Sequence, residues 1–354
     1  MRKKAAVFAS VICLMVLAVL VGHFMTTRAK SFDDAGTGSR SVPTEQRELL
    51  DNYLRTADAD RGETSQVFAG FSAEDKARLF RLHLALQLAT RDNLTPSQRS
   101  LIRDAIALTK DSLYVKESSN LTPVPTALHD LQTKARRRFA RADAADIFAN
   151  ISTNPVETAM LKSYEHVTGS PYAVNRRESF RTLSPADQSS VIRTHLAVQM
   201  AIRDLTEPQL KFVDEAMSVA APKTYSIMRS SKASSKARTE REAELSSIKE
   251  RMLLFFPRSV AFEMFASLGG SKVKPIPDQS EGIIIPRGPN SVELAADPPN
   301  CSCSTESDWC DFSKRGSHCG GQAASCNYQY LGCGTLWGYD CNSMCFGGND
   351  DENG

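Results

Sequence analysis

The fold of this chain is decided by a ten-residue stretch that occurs twice. It reads HLALQLATRD at residues 83–92 and HLAVQMAIRD at residues 195–204. The histidine, the glutamine four positions later and the closing Arg-Asp pair agree in both copies. Self-similarity at a fixed offset indicates that one structural unit is used twice.

The similarity extends to both sides of this stretch. Before it, SAED at residues 72–75 corresponds to SPAD at residues 184–187; after it, TPSQ at residues 95–98 corresponds to TEPQ at residues 206–209. Aromatic and basic positions continue the match, pairing Tyr114, Phe139, Arg141 and Phe148 with Tyr225, Phe256, Arg258 and Phe265. The sequence therefore predicts two related units, with linkers and further segments around them.

Both copies carry signals for the start of a helix. Ser72 and Ser184 each precede an acid three residues later, which is the pattern of a helix N-cap. Thr95 and Thr206 each precede a glutamine by three residues, which is the capping-box form. Strand signals are nearly absent from this region, so we predict an all-α fold, a duplicated helical bundle of about four or five helices per unit.

Composition and charge narrow the class of function. The chain is 41% apolar and 24% charged, which excludes wholesale disorder and a multi-span membrane protein. Residues 300–354 hold two basic and seven acidic side chains, or −5, so the remainder carries +7 to reach the total of +2. No basic patch interleaved with aromatic residues occurs, and we therefore expect no nucleic-acid partner.

The first thirty residues have the pattern of an export signal. Arg2, Lys3 and Lys4 precede residues 5–25, a run without Asp, Glu, Lys or Arg. This length fits either a cleaved signal peptide or a retained N-terminal membrane anchor. Both alternatives need the export machinery as a partner, and both predict a protein that is secreted or anchored to the outer face of the inner membrane.

The repeated histidine allows a structural and a metal-binding interpretation. His83, Gln87 and Arg91 stand at i, i+4 and i+8 and share one stripe of a helix. Zinc needs three or four ligands, and the other helical histidines, His129 and His166, match nothing in the other copy. A buried polar pair is the preferred interpretation. Because no Ser-His-Asp order, phosphate loop or HExxH motif occurs, we predict no catalytic residue, no cofactor, no metal and no enzymatic activity.

Two segments lack a clear helical pattern, one within the second unit and one after it. Residues 229–241 are rich in Ser, Lys, Arg and Ala and fit a basic loop or the solvated start of a helix. Residues 270–299 contain six prolines and are predicted to be an extended linker. Within the linker, the apolar triplet 283–285 either docks on a helical unit or marks a processing site beside Arg287.

The C-terminal region is a separate cysteine-rich segment. Its eight cysteines are Cys301, Cys303, Cys310, Cys319, Cys326, Cys333, Cys341 and Cys345. An even number of cysteines with few aliphatic residues indicates a fold closed by disulfides, whose pairing the sequence leaves open. Zinc is the alternative, but His318 is the only imidazole and Cys-x-x-Cys pairs are missing.

The predicted organisation thus has six parts. They are a signal or anchor at 1–30, helical unit 1 at 31–153, helical unit 2 at 154–269, the linker at 270–299, the cysteine module at 300–346 and an acidic tail at 347–354.

The cysteine module resembles a known family. NCSCSTESDWC at 300–310, CNY at 326–328 and GCGTLWGYDC at 332–341 are similar to the fulvocin C-related bacteriocins in cysteine spacing, the Gly-Cys-Gly-Thr motif and aromatic positions. The resemblance implies an exported precursor whose C-terminal module is an antibacterial peptide that acts on the envelope or membrane of sensitive cells. It implies no particular immunity partner.

Aromatic residues of the module are candidates for binding. They are Trp309, Tyr328, Tyr330, Trp337 and Tyr339. Amphipathic rings suit membrane interfaces and binding hot spots, and the alternative is that they cover the disulfides as a minimal core. The competing functional interpretation is an envelope-associated structural or interaction protein that retains the module and is no toxin.

Overall fold

The computed structural model describes ten stretches of the chain. They are residues 42–57, 61–114, 126–148, 151, 154–170, 173–268, 301, 303–307, 318–320 and 326–346. The predicted signal or anchor, the linker and the acidic tail lie outside these residues. Among the helices of these stretches, none combines the length and the apolarity that crossing a membrane requires.

The described residues form thirteen α-helices, which confirms the predicted all-α class. The helices are α1 Val42–Ala57, α2 Arg61–Ala69, α3 Ala73–Thr90, α4 Pro96–Leu108, α5 Thr126–Arg138, α6 Arg141–Phe148, α7 Pro155–Thr168, α8 Ala173–Thr182, α9 Pro185–Ile202, α10 Glu207–Val219, α11 Pro222–Arg229, α12 Ser235–Phe255 and α13 Arg258–Phe265. Residues 229–241 end α11 and begin α12, so most of this stretch is helix rather than loop.

The predicted caps begin the two copies of the central helix. The Ser72 hydroxyl accepts a hydrogen bond from the backbone N–H of Asp75 at 3.0 Å, and Ser184 accepts one from Asp187 at 3.2 Å. At the next helix, the Thr95 N–H donates to the Gln98 side chain at 2.9 Å. These bonds satisfy N–H groups that a helix start leaves without an intrahelical partner.

The chain divides into two compact units that differ from the two sequence repeats. Unit 1 comprises residues 1–158 and 197–211, and unit 2 comprises residues 159–196 and 212–354. A part of the second repeat thus belongs to unit 1. Asp204 of the second repeat contacts residues of the first: its carboxylate accepts hydrogen bonds from Arg81 at 2.9 Å and from Lys110 at 3.1 Å.

The core of unit 1 surrounds α3. Every residue from Leu82 to Ala89 is buried, so this helix has neighbours on all sides. The core of unit 2 is aromatic, and its fully buried side chains include Phe180, Phe212 and Tyr225. The described part of the cysteine module also belongs to unit 2.

The cysteine module contains two small antiparallel ladders. Strand β1 His318–Cys319 pairs with β4 Cys345–Phe346, and β2 Gln329–Cys333 pairs with β3 Tyr339–Cys341. A 3₁₀ turn, Thr335–Trp337, connects β2 to β3. Such short ladders bury little apolar surface, so they need covalent closure or another surface to pack against.

Candidate functional site

Disulfides join the strands and turns of the cysteine module. The bridges are Cys301–Cys326, Cys303–Cys319 and Cys333–Cys341, and Cys345 is also disulfide-bonded. Cys310 lies outside the described residues. The disulfide scaffold is confirmed, and four of its half-cystines form a small buried cluster against which Met344 packs: Cys301, Cys326, Cys333 and Cys341. Such bonds are typical of proteins outside the cytoplasm.

The candidate binding aromatics separate into an exposed and a buried pair. Tyr328 and Tyr330 are 48% and 60% exposed, and their rings meet edge to face with centroids 5.1 Å apart. Trp337 and Tyr339 are each only 4% exposed, so the expected surface position is wrong for these two residues. Trp309 lies outside the described residues.

Trp337 is buried because helices of unit 2 enclose its indole ring. The ring meets Phe180 of α8 edge to face with centroids 5.3 Å apart. The indole N–H donates a hydrogen bond to the carbonyl of Ala266, just after α13, at 2.9 Å. A buried tryptophan needs a partner for its one polar group, and the end of α13 supplies it.

Tyr339 is held by the long helix α12. Its hydroxyl donates to the carbonyl of Glu242 at 3.3 Å, and burial raises the pKa of the phenol to about 12. The neighbouring Gly338 lies so close to Leu245 that an added Cβ would be 2.8 Å from a methyl carbon. The turn after β2 therefore fits α12 without room for a side chain at this position.

In the described part of the module, three non-glycine residues have a left-handed backbone. They are Leu331 with φ 57°, Leu336 with φ 54° and Trp337 with φ 52°. Such conformations cost of order 1 to 3 kcal/mol and persist where surrounding contacts impose them. Here Arg181 donates through Nε to the Leu331 carbonyl at 3.0 Å, and Tyr225 donates through its hydroxyl to the Leu336 carbonyl at 3.0 Å.

The Gly-Cys-Gly-Thr motif fits this tight geometry. Gly334 has φ 71°, and a Cβ there would be 2.7 Å from both the Ser307 side chain and the Tyr339 ring. The backbone N–H of Thr335 donates to the Ser307 hydroxyl at 3.1 Å. Glycine at 334 is thus needed for its backbone freedom and for space.

Asp340 orients the exposed tyrosine pair. Its carboxylate accepts hydrogen bonds from the Tyr328 hydroxyl and from the backbone N–H of Leu331, the latter at 2.9 Å. Arg238 of α12 lies 3.8 Å from the same carboxylate. Burial and the hydrogen bond to Asp340 raise the pKa of the Tyr328 phenol, so it is neutral at physiological pH.

Arginines of helix α8 contact the module, and the sequence analysis did not predict these contacts. Arg181 contacts the Cys341 sulfur at 3.4 Å besides its bond to Leu331. Arg177 lies against Gly332, with its Cγ 3.5 Å from the position of an added Cβ. Burial and the neighbouring arginines Arg181 and Arg176 lower the pKa of Arg177 to about 10, which leaves it charged at neutral pH. No motif or residue spacing in the sequence predicts these contacts.

The repeated histidines have equivalent surroundings. His83 receives the Tyr53 hydroxyl at Nδ1 (3.1 Å) and lies 2.9 Å from the Asp146 carbonyl through Nε2. Because a carbonyl accepts only, Nε2 carries the hydrogen and the neutral ring accepts from tyrosine. His195 repeats this arrangement with Tyr164 and the Glu263 carbonyl, at 3.1 and 3.0 Å.

This geometry supports a structural role for the histidines. Both ring nitrogens of His83 are used in hydrogen bonds, and burial lowers its pKa to about 4. Gln87 donates to the buried Glu157 at 2.7 Å and accepts from Arg91 at 2.8 Å, rather than pairing with the histidine. Among the described residues, no three His, Cys, Asp or Glu side chains are placed to hold a metal ion.

Comparison with known proteins identifies no relative: no family model matches the chain, and no curated protein or solved structure matches it.

Proposed function

We propose that the chain is the exported precursor of a bacteriocin-like peptide, and that the peptide is the cysteine module, residues 300–346. The observation that carries the proposal is the placement of the disulfides. The three described bridges each join two residues of the module. The described residues of the module contact the helices of unit 2 through hydrogen bonds. A cut in the linker would therefore leave a covalently closed peptide.

The exposed tyrosine pair supplies a surface for the target envelope. The rings of Tyr328, just before β2, and Tyr330, within β2, are in contact, and Asp340 fixes the orientation of the first ring. A phenol combines an apolar ring with a polar tip, which suits the interface of a membrane and the centre of a protein contact. We propose this pair as the part of the module that meets sensitive cells.

The proposal is tested by comparing the uncut chain with a chain cut at a specific protease site placed beside Arg287. Both are added to a panel of bacterial strains, and growth and leakage of cell contents are measured. We expect the module fragment purified from the cut chain to inhibit at least one strain, more strongly than the uncut chain. A disulfide-intact cut chain, active on no strain either as the fragment mixture or as the purified module fragment, would contradict the proposal.

A matched pair of variants tests the role of the tyrosines. Replacing Tyr328 and Tyr330 by alanine should reduce inhibition at least about tenfold, because two hot-spot aromatic contacts are removed. Replacing Leu253 and Leu254 of α12 by alanine removes exposed apolar side chains from a helix and should leave inhibition unchanged. Equal loss in both variants would assign the activity to general apolar adhesion.

The second candidate function is an envelope-associated interaction protein that keeps its module. The burial of Trp337 and Leu331 in unit 2 favours it, since the module shares the core of the helices. Intact-mass measurement on supernatant and envelope fractions separates the two candidates. A free peptide with all eight cysteines supports the precursor, whereas full-length chain in the envelope supports the interaction protein.

A further inference from the structure

Unit 2 contains a groove that matches the cysteine module in shape and hydrogen bonding. We define this groove by Phe180, Arg181, Tyr225, Leu245 and Ala266, which come from α8, α11, α12 and the end of α13. The ring of Phe180 meets both Tyr225 and Trp337 edge to face, with centroids 5.8 and 5.3 Å apart. The module thus inserts its tryptophan into an aromatic site already built by the helices.

The hydrogen bonds across the groove run in both directions. Arg181 and Tyr225 donate to backbone carbonyls of the module, at Leu331 and Leu336. Trp337 and Tyr339 donate to carbonyls of unit 2. Tyr225 and Trp337 are almost fully buried, so loss of either bond would leave polar groups without water. Directional, buried bonds of this kind give a contact specificity for one partner.

The groove also holds the module in a backbone conformation that is costly by itself. Leu331, Leu336 and Trp337 have positive φ, and each has a hydrogen bond to unit 2 through its carbonyl or its side chain. Ordinary L-residues leave this region when nothing holds them. A module away from the groove therefore either relaxes its backbone or presents Trp337 to solvent.

We propose that the helices of unit 2 are the neutralising partner of the module: after the linker is cut, the groove keeps the module bound, and it also binds a module that comes from a second copy of this chain. Binding in the groove buries Trp337 and the apolar side chains of Leu331 and Leu336. The neutralising role rests on the proposed precursor function. The binding of the module in the groove does not depend on that function.

The duplicated fold provides a matched control for this contact. In unit 1, Phe68 and Tyr114 repeat the edge-to-face pair of Phe180 and Tyr225, with centroids 6.1 Å apart. No described residue forms a hydrogen bond with the Tyr114 hydroxyl. Tyr114→Phe therefore removes the same atom from the equivalent position without touching the module, whereas Tyr225→Phe removes the bond to Leu336.

The experiment uses the full chain with the protease site beside Arg287, cut under non-reducing conditions. Association of the two fragments is measured by gel filtration and native mass spectrometry. We expect the wild-type fragments to stay together at micromolar concentration. Tyr225→Phe should weaken the complex about tenfold or more, because it leaves a buried carbonyl without its donor. Tyr114→Phe should leave the affinity unchanged.

A second measurement tests binding in trans. Cut chains with and without ¹⁵N label are mixed, and the masses of the complexes are followed over time. Complexes that combine a labelled and an unlabelled fragment would establish that a groove accepts the module of another copy. Complexes that keep only their own label would contradict binding in trans, and separation of wild-type fragments with intact disulfides would overturn the inference altogether.

A folding control and a second variant keep the outcomes distinct. Helical circular dichroism shows whether the Tyr225→Phe variant is folded. The second variant, Trp337→Phe, removes only the indole N–H donor and part of the ring. Inhibition of a sensitive strain is measured separately with the bound and the isolated module. A stable complex without any antibacterial activity would disprove the precursor function and leave the groove as a binding site.

Discussion

The hydroxyl of Tyr225 donates a 3.0 Å hydrogen bond to the carbonyl of Leu336, which lies 111 residues later in the chain, and both residues are buried. The acceptor belongs to a residue with φ 54°. This hydrogen bond therefore connects an aromatic residue of the second repeat to a turn of the cysteine module. The turn and the helices must be considered as one folded unit.

Gly334→Ala should destabilise unit 2 strongly. The substitution places a Cβ 2.7 Å from Ser307 and Tyr339 and forces alanine into a backbone region that suits glycine. We expect a loss of roughly 2 to 4 kcal/mol in the free energy of unfolding, measured with denaturant. The control is Gly70→Ala, where the nearest atom is 3.4 Å away and φ is not positive. Equal effects at both positions would contradict the assigned cause.

The buried histidine should make the stability of unit 1 depend on pH. Burial lowers the pKa of folded His83 to about 4, whereas an unfolded histidine titrates near 6.5. The unfolded chain therefore binds the proton first, and stability present above about pH 6.5 is lost as the pH falls towards 4. The loss attributable to this group reaches about 3 kcal/mol.

Charged neighbours of His83 must be included in that measurement. Arg91 lowers the pKa of the histidine and Asp146 raises it. Burial raises the pKa of Glu157, so protonation of that carboxyl at low pH acts in the opposite direction. Denaturant unfolding of the wild type, His83→Ala and Glu157→Gln between pH 7 and 4 separates these contributions. His83→Ala should cost roughly 1 to 3 kcal/mol at pH 7 and should flatten the acid limb.

The chain isolated without reducing agent should contain no free thiol among Cys301 to Cys345. Seven of these cysteines are disulfide-bonded in the described residues, and Cys310 is the eighth. Intact mass before and after reduction, with alkylation of free thiols, checks this expectation. Each bridge should lower the mass by two hydrogens. Alkylation of the unreduced chain, or zinc that copurifies in stoichiometric amount, would contradict the disulfide scaffold.

Limited trypsin digestion should cut the chain first in the linker, at Lys272 or Arg287. Its six prolines and its lack of cysteines are the sequence pattern of an extended segment without crosslinks, on which we base this prediction. The basic stretch 229–241 is a weaker candidate, because α11 and α12 include most of it. Peptide mapping identifies the first cuts. Early cleavage between Leu79 and Leu88 would disagree with the burial of every residue from Arg81 to Leu88 in α3.

Elements that depend only on neighbouring residues can be predicted from the amino-acid sequence. Caps at Ser72 and Ser184 act within one turn, so the starts of α3 and α9 can be recognised locally. The repeat of His83 as His195 likewise predicted equivalent positions, and both rings make the same two kinds of hydrogen bond. An even number of cysteines in a segment poor in aliphatic residues was enough to predict disulfides.

Long-range contacts determine which surface of the module is exposed and which residues bind it. Tyr330 and Trp337 are aromatic residues of the same module, yet one is 60% exposed and the other 4%. The difference arises because Phe180 and Ala266 come to Trp337 from distant helices, and burial depends on such long-range packing. The pairing of the cysteines and the contacts of Arg181 and Tyr225 depend on the same packing, which no local pattern in the chain encodes.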